Sequence, residues 1–281
     1  MLSQFVIMKR PEFKDYIIRI AKDRSLSVDE RIDQAFLIRQ ETMPADGKEQ
    51  FQTDIDLCQV LVKMIQEENP DHIYDLAYMQ LLVLEAEAMV NQENYRDIIH
   101  VADDALSLLR DDMTPVEVYE QTMPRLIDAV SDTVYNHALY ELLLRYVRAV
   151  LPEKPEDKEM KRYVVKLLKL QVLLPYTGWC GHLLDKELQD LISNLLTSRE
   201  MMGIIMNPTM SHLHKDPVEY TREWEDIYYD VEEELDRRFA NARKGMGFCF
   251  MFWSAKKELL AQKYGIDWKS PAAMNPGVMF D

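Results

Sequence analysis

Four short constellations in this 281-residue chain hold residue types that can do chemistry. His212-Leu213-His214-Lys215-Asp216 has the alternation of a metal site on extended chain, two imidazoles on one side with a carboxylate close by. Asp216 also stands directly before Pro217, where it reads as a helix N-cap. Trp179-Cys180-Gly181-His182 puts a thiol two residues from an imidazole, the components of a thiolate nucleophile. No third residue is in view to orient the imidazole, so a glycine-flexed turn tucking Trp179 inward explains the same residues. Glu219, Glu223, Asp226, Asp230 and Glu233 step by three and four residues, as paired-metal carboxylates do in helical bundles. Such bundles also use Glu-x-x-His motifs, which this chain lacks, so a solvated helix face is expected. Lys244-Gly245-Met246-Gly247 could cradle a phosphate at a helix start, but without a preceding strand it reads as a helix–helix turn.

The elements that position these groups are helices nearly throughout. Helix signals run from Pro11, from Ser27 with Glu30 as a capping box, and over Lys48 to Glu68. Asn69-Pro70 reads as the cap and first turn of a helix reaching Asn91, apolar almost all round and so needing cover on several sides. Another helix follows the turn Asn91–Asn94, marked by Tyr95, Ile98, Ala102, Ala105 and Leu109. Thr114-Pro115-Val116-Glu117 reads as a second capping box, with Pro124 kinking or dividing near Thr122 the helix that it starts. Residues 136–150 form an amphipathic helix, and the segment 151–157, with Pro152 and Pro155, is a linker between a domain at 1–150 and one at 157–281. In the second domain the patterns predict helices over 158–174, 185–205, 216–242 and 248–264, then Gly265 as a C-terminal cap and a packed tail.

Residues 78–110 resemble one tetratricopeptide repeat. Tyr95 matches that family's aromatic after the turn, Ala105 its small residue ten positions later, and Ala86 and Ala88 the small positions of its first helix. Glu93 stands where the family has a turn glycine, and Ile98 where it has a small residue. The resemblance implies antiparallel helical hairpins and the binding of a peptide or protein. The stretch Tyr264 to Pro271 resembles the C-termini of uncharacterised bacterial helical proteins, which implies no activity.

Charge limits the function classes. With 33 basic against 49 acidic residues the net charge is −16, which excludes a surface built to neutralise nucleic-acid phosphates or anionic lipid. The charge is concentrated: residues 41–120 hold 4 basic and 19 acidic side chains, and 216–240 hold 3 and 10. The blocks are solvated faces or a docking surface for a basic partner. No secretory leader pattern and no membrane-length apolar run is present, and Cys58, Cys180 and Cys249 fit neither a disulfide framework nor a zinc motif, so a cytoplasmic protein is expected.

The expected protein is therefore all-α: tetratricopeptide-like hairpins followed by a C-terminal helical domain. Its expected role is a non-catalytic scaffold that presents Tyr78, Glu85 and Tyr95 to a protein or peptide, with no cofactor and no metal. The alternative is a sensor or enzyme with a small-molecule pocket near Trp179, His182 and Trp253. Two apolar blocks, Met201–Met206 and Phe248–Trp253, read as core, or else as a ligand groove or the interface of a homodimer.

Overall fold

The computed structural model describes residues 9–42, 47–110, 113–155, 157–174, 186–243 and 245–280. The constellation at 179–182, Lys244 and the break at 43–46 lie outside the described residues. Among the described residues the chain is all-α, with thirteen α-helices and no strand. It divides into two compact units, residues 1–133 and 134–281.

The first unit holds α1 (Arg10–Lys22), α2 (Val28–Thr42), α3 (Lys48–Glu68), α4 (Asp75–Asn91), α5 (Ile98–Leu108) and α6 (Val116–Ser131). Helix α4 is its centre and packs on α3, α5 and α6, the cover that its all-round apolar surface demands. Met79, Leu82 and Ala86 on it are fully enclosed. Side chains from α3 hold α1 and α2. Asp56 receives Arg10 at 2.6 Å and Lys14 at 3.1 Å. Burial opposes its charge, yet the two cations keep its carboxyl below the usual range. Arg31, almost wholly buried, forks onto Glu68 at 2.7 and 2.6 Å and reaches the Ala21 carbonyl at 2.9 Å, which ties α2 to α1 and α3.

The second unit holds α7 (Asn136–Val150), α8 (Lys158–Leu173), α9 (Lys186–Leu195) and α10 (Ser198–Met206). A 3-10 turn (Pro217–Tyr220), α11 (Arg222–Phe239), α12 (Phe248–Leu259) and the short α13 (Pro271–Met274) follow. Helices α7 and α8 pack on each other across the segment that carries Pro152 and Pro155. Helix α12 runs on as one π turn to Tyr264 and stops at Gly265, whose φ of 70° is the left-handed cap expected there. The tail is packed: Trp268 stacks on Trp224, Asn275 bonds both backbone groups of His214, and Phe280 meets the Trp253 ring.

Several helix starts differ from the sequence expectation, some because the expected capping side chain bonds elsewhere and one because a further capping box forms. Ser27 and Glu30 do form their reciprocal box. Asn69, however, ends α3 and accepts the Tyr74 amide at 2.9 Å, so α4 begins only at Asp75. Thr114 turns back to accept the Arg110 amide, leaving Pro115 to precede α6. Helix α6 continues through Pro124 undivided. The single helix expected over 185–205 is two, because Thr197 and Glu200 form a capping box that starts α10. Asp216 caps only the 3-10 turn, and Thr221 caps α11.

Candidate functional site

Two adjoining hollows flank α4 in the first unit. One, of about 330 Å³, lies toward α2 and α3 and is floored by Phe36, Phe51, Leu57 and Leu84. Arg39 and Asp54 stand on its rim as a two-point ion pair at 2.7 and 3.1 Å. The other, of about 420 Å³, lies toward α6 and is lined by Arg125, Asp128, Ser131 and Asp132. Both are lined by Glu87 and Asn91 of α4, so they adjoin along one side of that helix. Arg125 crosses to Glu87 with a second two-point pair at 2.7 and 2.5 Å.

The second hollow is lined by three carboxylates and one guanidinium, so its lining is net acidic. It gathers the last turns of α4 and α6, whose carbonyls accept from the residues that follow: Gln92 and Glu93 donate to the end of α4, Asp132 and Thr133 to the end of α6. Asp128 and Asp132 stand one turn apart and exposed.

A polar seam runs along the adjacent face of α4. Gln59 of α3 donates its amide to Glu85 at 2.9 Å, and Gln66 donates to the Tyr78 hydroxyl. The numbers rise on α3 as they fall on α4, so the two helices are antiparallel. Glu85 is 5% exposed, and burial raises its carboxyl to about 7, with the Gln59 amide opposing and Asp104 of α5 adding to the rise. Burial raises Asp104 as well, with Asp103 adding and His100 opposing. The Cys58 thiol, on the floor of the first hollow, is pushed far up by burial and by Glu85 and Asp54, which leaves it protonated and inert.

The six residues singled out from sequence are not gathered at one place. Tyr78 and Glu85 lie in the seam, buried, and not on the rim of the hollows. Tyr95 is half-buried in the turn before α5, three residues before the helix begins. Trp253 is half-buried in the second unit between Phe250 and Phe280. Trp179 and His182 lie outside the described residues. The H-x-H-x-D residues are occupied with structure: Asp216 takes the amides of Val218 and Lys269, and the His214 backbone is held by Asn275. Glu219 accepts the Trp268 indole N–H at 2.9 Å, while Glu223, Asp226, Asp230 and Glu233 face solvent. No group of three or more potential ligands is placed to hold a metal among the described residues.

The apolar blocks also differ from the core expectation. In Met201–Met206 only Ile204 is buried, because the new helix start at Ser198 turns Met202 and Met206 outward. In Phe248–Trp253, Phe248 and Phe252 pack on Phe239 while Phe250 and Met251 are about half exposed. A hollow of about 300 Å³ between α8 and α10 is crossed by the Lys161–Glu200 ion pair at 2.6 Å, so its polar groups are engaged with each other.

Two polar arrangements in the second unit were missed from sequence. Glu225 of α11 accepts the backbone amide of His137 at 3.0 Å and pairs with its Nδ1 at 2.9 Å, capping α7 from a residue 88 positions away. The His137 Nε2 is buried without a hydrogen-bond partner. Lys256, 7% exposed, is ringed by Trp224, Tyr228 and Trp268 at 5.0, 4.9 and 5.3 Å and paired with Glu232. No periodic signal announces either, since each joins residues far apart in sequence. The hollows beside α4 had one usable sign, the 19 acidic residues of 41–120.

No protein-family model matches the sequence, and no curated protein and no solved structure matches it significantly. No helix among the described residues is long and apolar enough to cross a membrane.

Proposed function

We propose that the protein is a non-catalytic, cytoplasmic adaptor that binds a peptide segment of a protein partner across the α2–α3–α4–α6 face of its first unit. The observation that carries this reading is the pair of adjoining hollows that share Glu87 and Asn91, one with an apolar floor and one with a net acidic lining. Open hollows with an apolar floor and a charged rim suit a side chain on an extended backbone. The two-point ion pairs hold Asp54 and Glu87 in fixed positions before any ligand arrives, which lowers the ordering cost of binding.

The tetratricopeptide resemblance supports the same reading. Helices α4 and α5 form a packed hairpin with Ala86, Ala88 and Ala105 buried, as the family's small positions would be. Glu93, where that family has glycine, is held at φ 61°, the conformation for which glycine is suited.

Selection of a random phage-displayed peptide library on the immobilised full chain tests the proposal, with bound peptides mapped by hydrogen exchange. Enrichment of peptides that slow exchange in segments 36–40, 84–91 and 125–132 is expected. No enrichment, or protection confined to other segments, would overturn it.

A further inference from the structure

Apolar side chains left in water gather at one place in the second unit. Of the eleven large apolar side chains exposed among the described residues, five fall in 246–279, on or beside α12 and the tail. Phe250 and Trp253, three residues apart, share a face of α12 distinct from that of Phe248 and Phe252, which pack on Phe239 of α11. Their rings meet edge to face at 5.5 Å, and Phe280 of the tail meets Trp253 in the same way at 5.2 Å, so three rings form one continuous ridge. Phe250 is about half exposed, and next to Phe280 in the chain stand Val278, about half exposed, and Met279, 96% exposed. The ridge with Met251, Val278 and Met279 leaves roughly 500 Å² of apolar surface in water, since one large side chain carries ~150–250 Å². A stable interface between two copies of a chain takes about 800 Å² from each, about two-thirds of it apolar, which is the same quantity.

Charge limits where a second copy can approach. Two chains of net charge −16 repel, most strongly over the acidic blocks 41–120 and 216–240, whereas residues 241–281 hold 6 basic and 3 acidic side chains. Several cations of that segment are engaged within the chain: Lys257 with Asp267 at 3.5 Å, Lys263 with Glu234 at 2.7 Å, and Lys256 in its aromatic cage. Recognition at the ridge is therefore apolar, and the ridge holds both halves of a self-complementary contact. Met279 is a flexible thioether standing clear of the surface, and aromatic rings are what a thioether packs against. Under a twofold axis Met279 of one protomer meets the rings of its partner, and the reverse contact forms by symmetry. We propose that the Phe250–Trp253–Phe280 ridge is the interface of a twofold homodimer, in which each protomer covers the other's rings with Met279. The proposal is independent of the adaptor reading, whose hollows lie in the first unit.

Sedimentation velocity of the full chain from about 1 to about 100 μM, at about 50 and about 300 mM NaCl, tests the proposal. A dimer is expected that tightens about threefold or more in the higher salt, because salt screens the repulsion between two acidic chains and leaves the apolar contact intact. Met279→Glu is expected to weaken it about tenfold or more, by placing a carboxylate against the partner's rings. Met279 is 96% exposed, so this substitution removes no packing within the chain. Phe250→Asp is expected to weaken the dimer as much, with a circular-dichroism melt to confirm that the variant folds. A parent that stays monomeric throughout, or a dimer indifferent to Met279→Glu, would overturn the proposal. A dimer that loosens in the higher salt would be held by charge elsewhere and would overturn it too. Flotation of a monomeric parent with phosphatidylcholine vesicles, lost in Met279→Glu, would assign the ridge to a lipid surface in place of a second copy.

Discussion

Two buried ionisable groups, one in each unit, are housed in opposite ways. In the first, Glu85 sits between α3, α4 and α5 with one neutral amide as its hydrogen-bond partner and a second carboxylate, Asp104, nearby. In the second, Lys256 is enclosed by three aromatic rings and a carboxylate. Three ring faces and a carboxylate meet the lysine's ammonium group, whereas burial opposes the glutamate's charge. A fully satisfied ion locks elements together: Trp224 and Tyr228 come from α11, Lys256 from α12 and Trp268 from the tail. An ion left short of partners titrates instead, and it makes the first unit sensitive to pH. The acidic, grooved unit is therefore expected to be the adjustable one and the aromatic unit the rigid one.

That contrast can be broken or sharpened by experiment, because all four tryptophans belong to the second unit. Tryptophan fluorescence then follows its unfolding, while far-UV circular dichroism follows both. The largest effect is expected from Trp224→Ala, which removes a 2%-exposed ring that stacks on Trp268 and faces Lys256. A loss of about 3–5 kcal/mol is expected in urea melts read by fluorescence. A loss under about 1 kcal/mol would show that the cage does not hold the unit together.

Next is Glu85→Gln, which keeps an amide partner for Gln59 and removes the charge. The Glu85 carboxyl lies near 7 when folded, above the 4.5 of an ordinary glutamate carboxyl. Its contribution to stability is therefore complete below about 4.5 and is lost as pH rises through about 7. Above that range the variant is expected to be more stable than the parent by up to about 3 kcal/mol. Circular-dichroism melts at acid and mildly alkaline pH check the sign. Parallel pH profiles for parent and variant would remove Glu85 as the sensitive group.

Lys256→Met comes third. It keeps much of the packed volume but loses the ring contacts and the bond to Glu232, and a cost of about 1–2 kcal/mol is expected, seen in fluorescence melts and in faster exchange of residues 266–280. Unchanged exchange in that tail would separate it from the cage. The smallest effect is expected from Glu93→Gly, a gain of about 0.5–1 kcal/mol from relieving a left-handed backbone, partly offset by the freer unfolded chain. A loss of stability there would show that the Glu93 side chain matters to the turn.

Much of the helical architecture was legible in the residues. The step of three and four along Phe51, Ile55, Cys58, Leu61, Val62 and Ile65 predicted α3 over the very span it occupies, Lys48–Glu68. The unbroken apolar surface of α4 predicted a helix enclosed on several sides, and Gly265 with Ile266 predicted the end of α12. Caps were less legible. Asn69, Thr114 and Asp216 all have side chains able to cap, and each has several amides within reach, so the winning partner depends on where the next element returns.

The candidate site was less legible still. Tyr78 and Glu85 were singled out from sequence, but their burial in a seam and not on a rim depends on Gln59 and Gln66 of another helix. Periodicity settled which residues share a helix face, because that is geometry within about two turns of chain. The apolar and anionic hollows exist only because α2, α3 and α6 arrive beside α4, and the cage around Lys256 only because the tail returns to α11. The sequence by itself determined an all-helical chain and where its acidity lies. Tertiary structure alone decided which acids are buried, which are pinned by arginine and which line an open face, because contacts across 38 or 88 residues leave no local pattern.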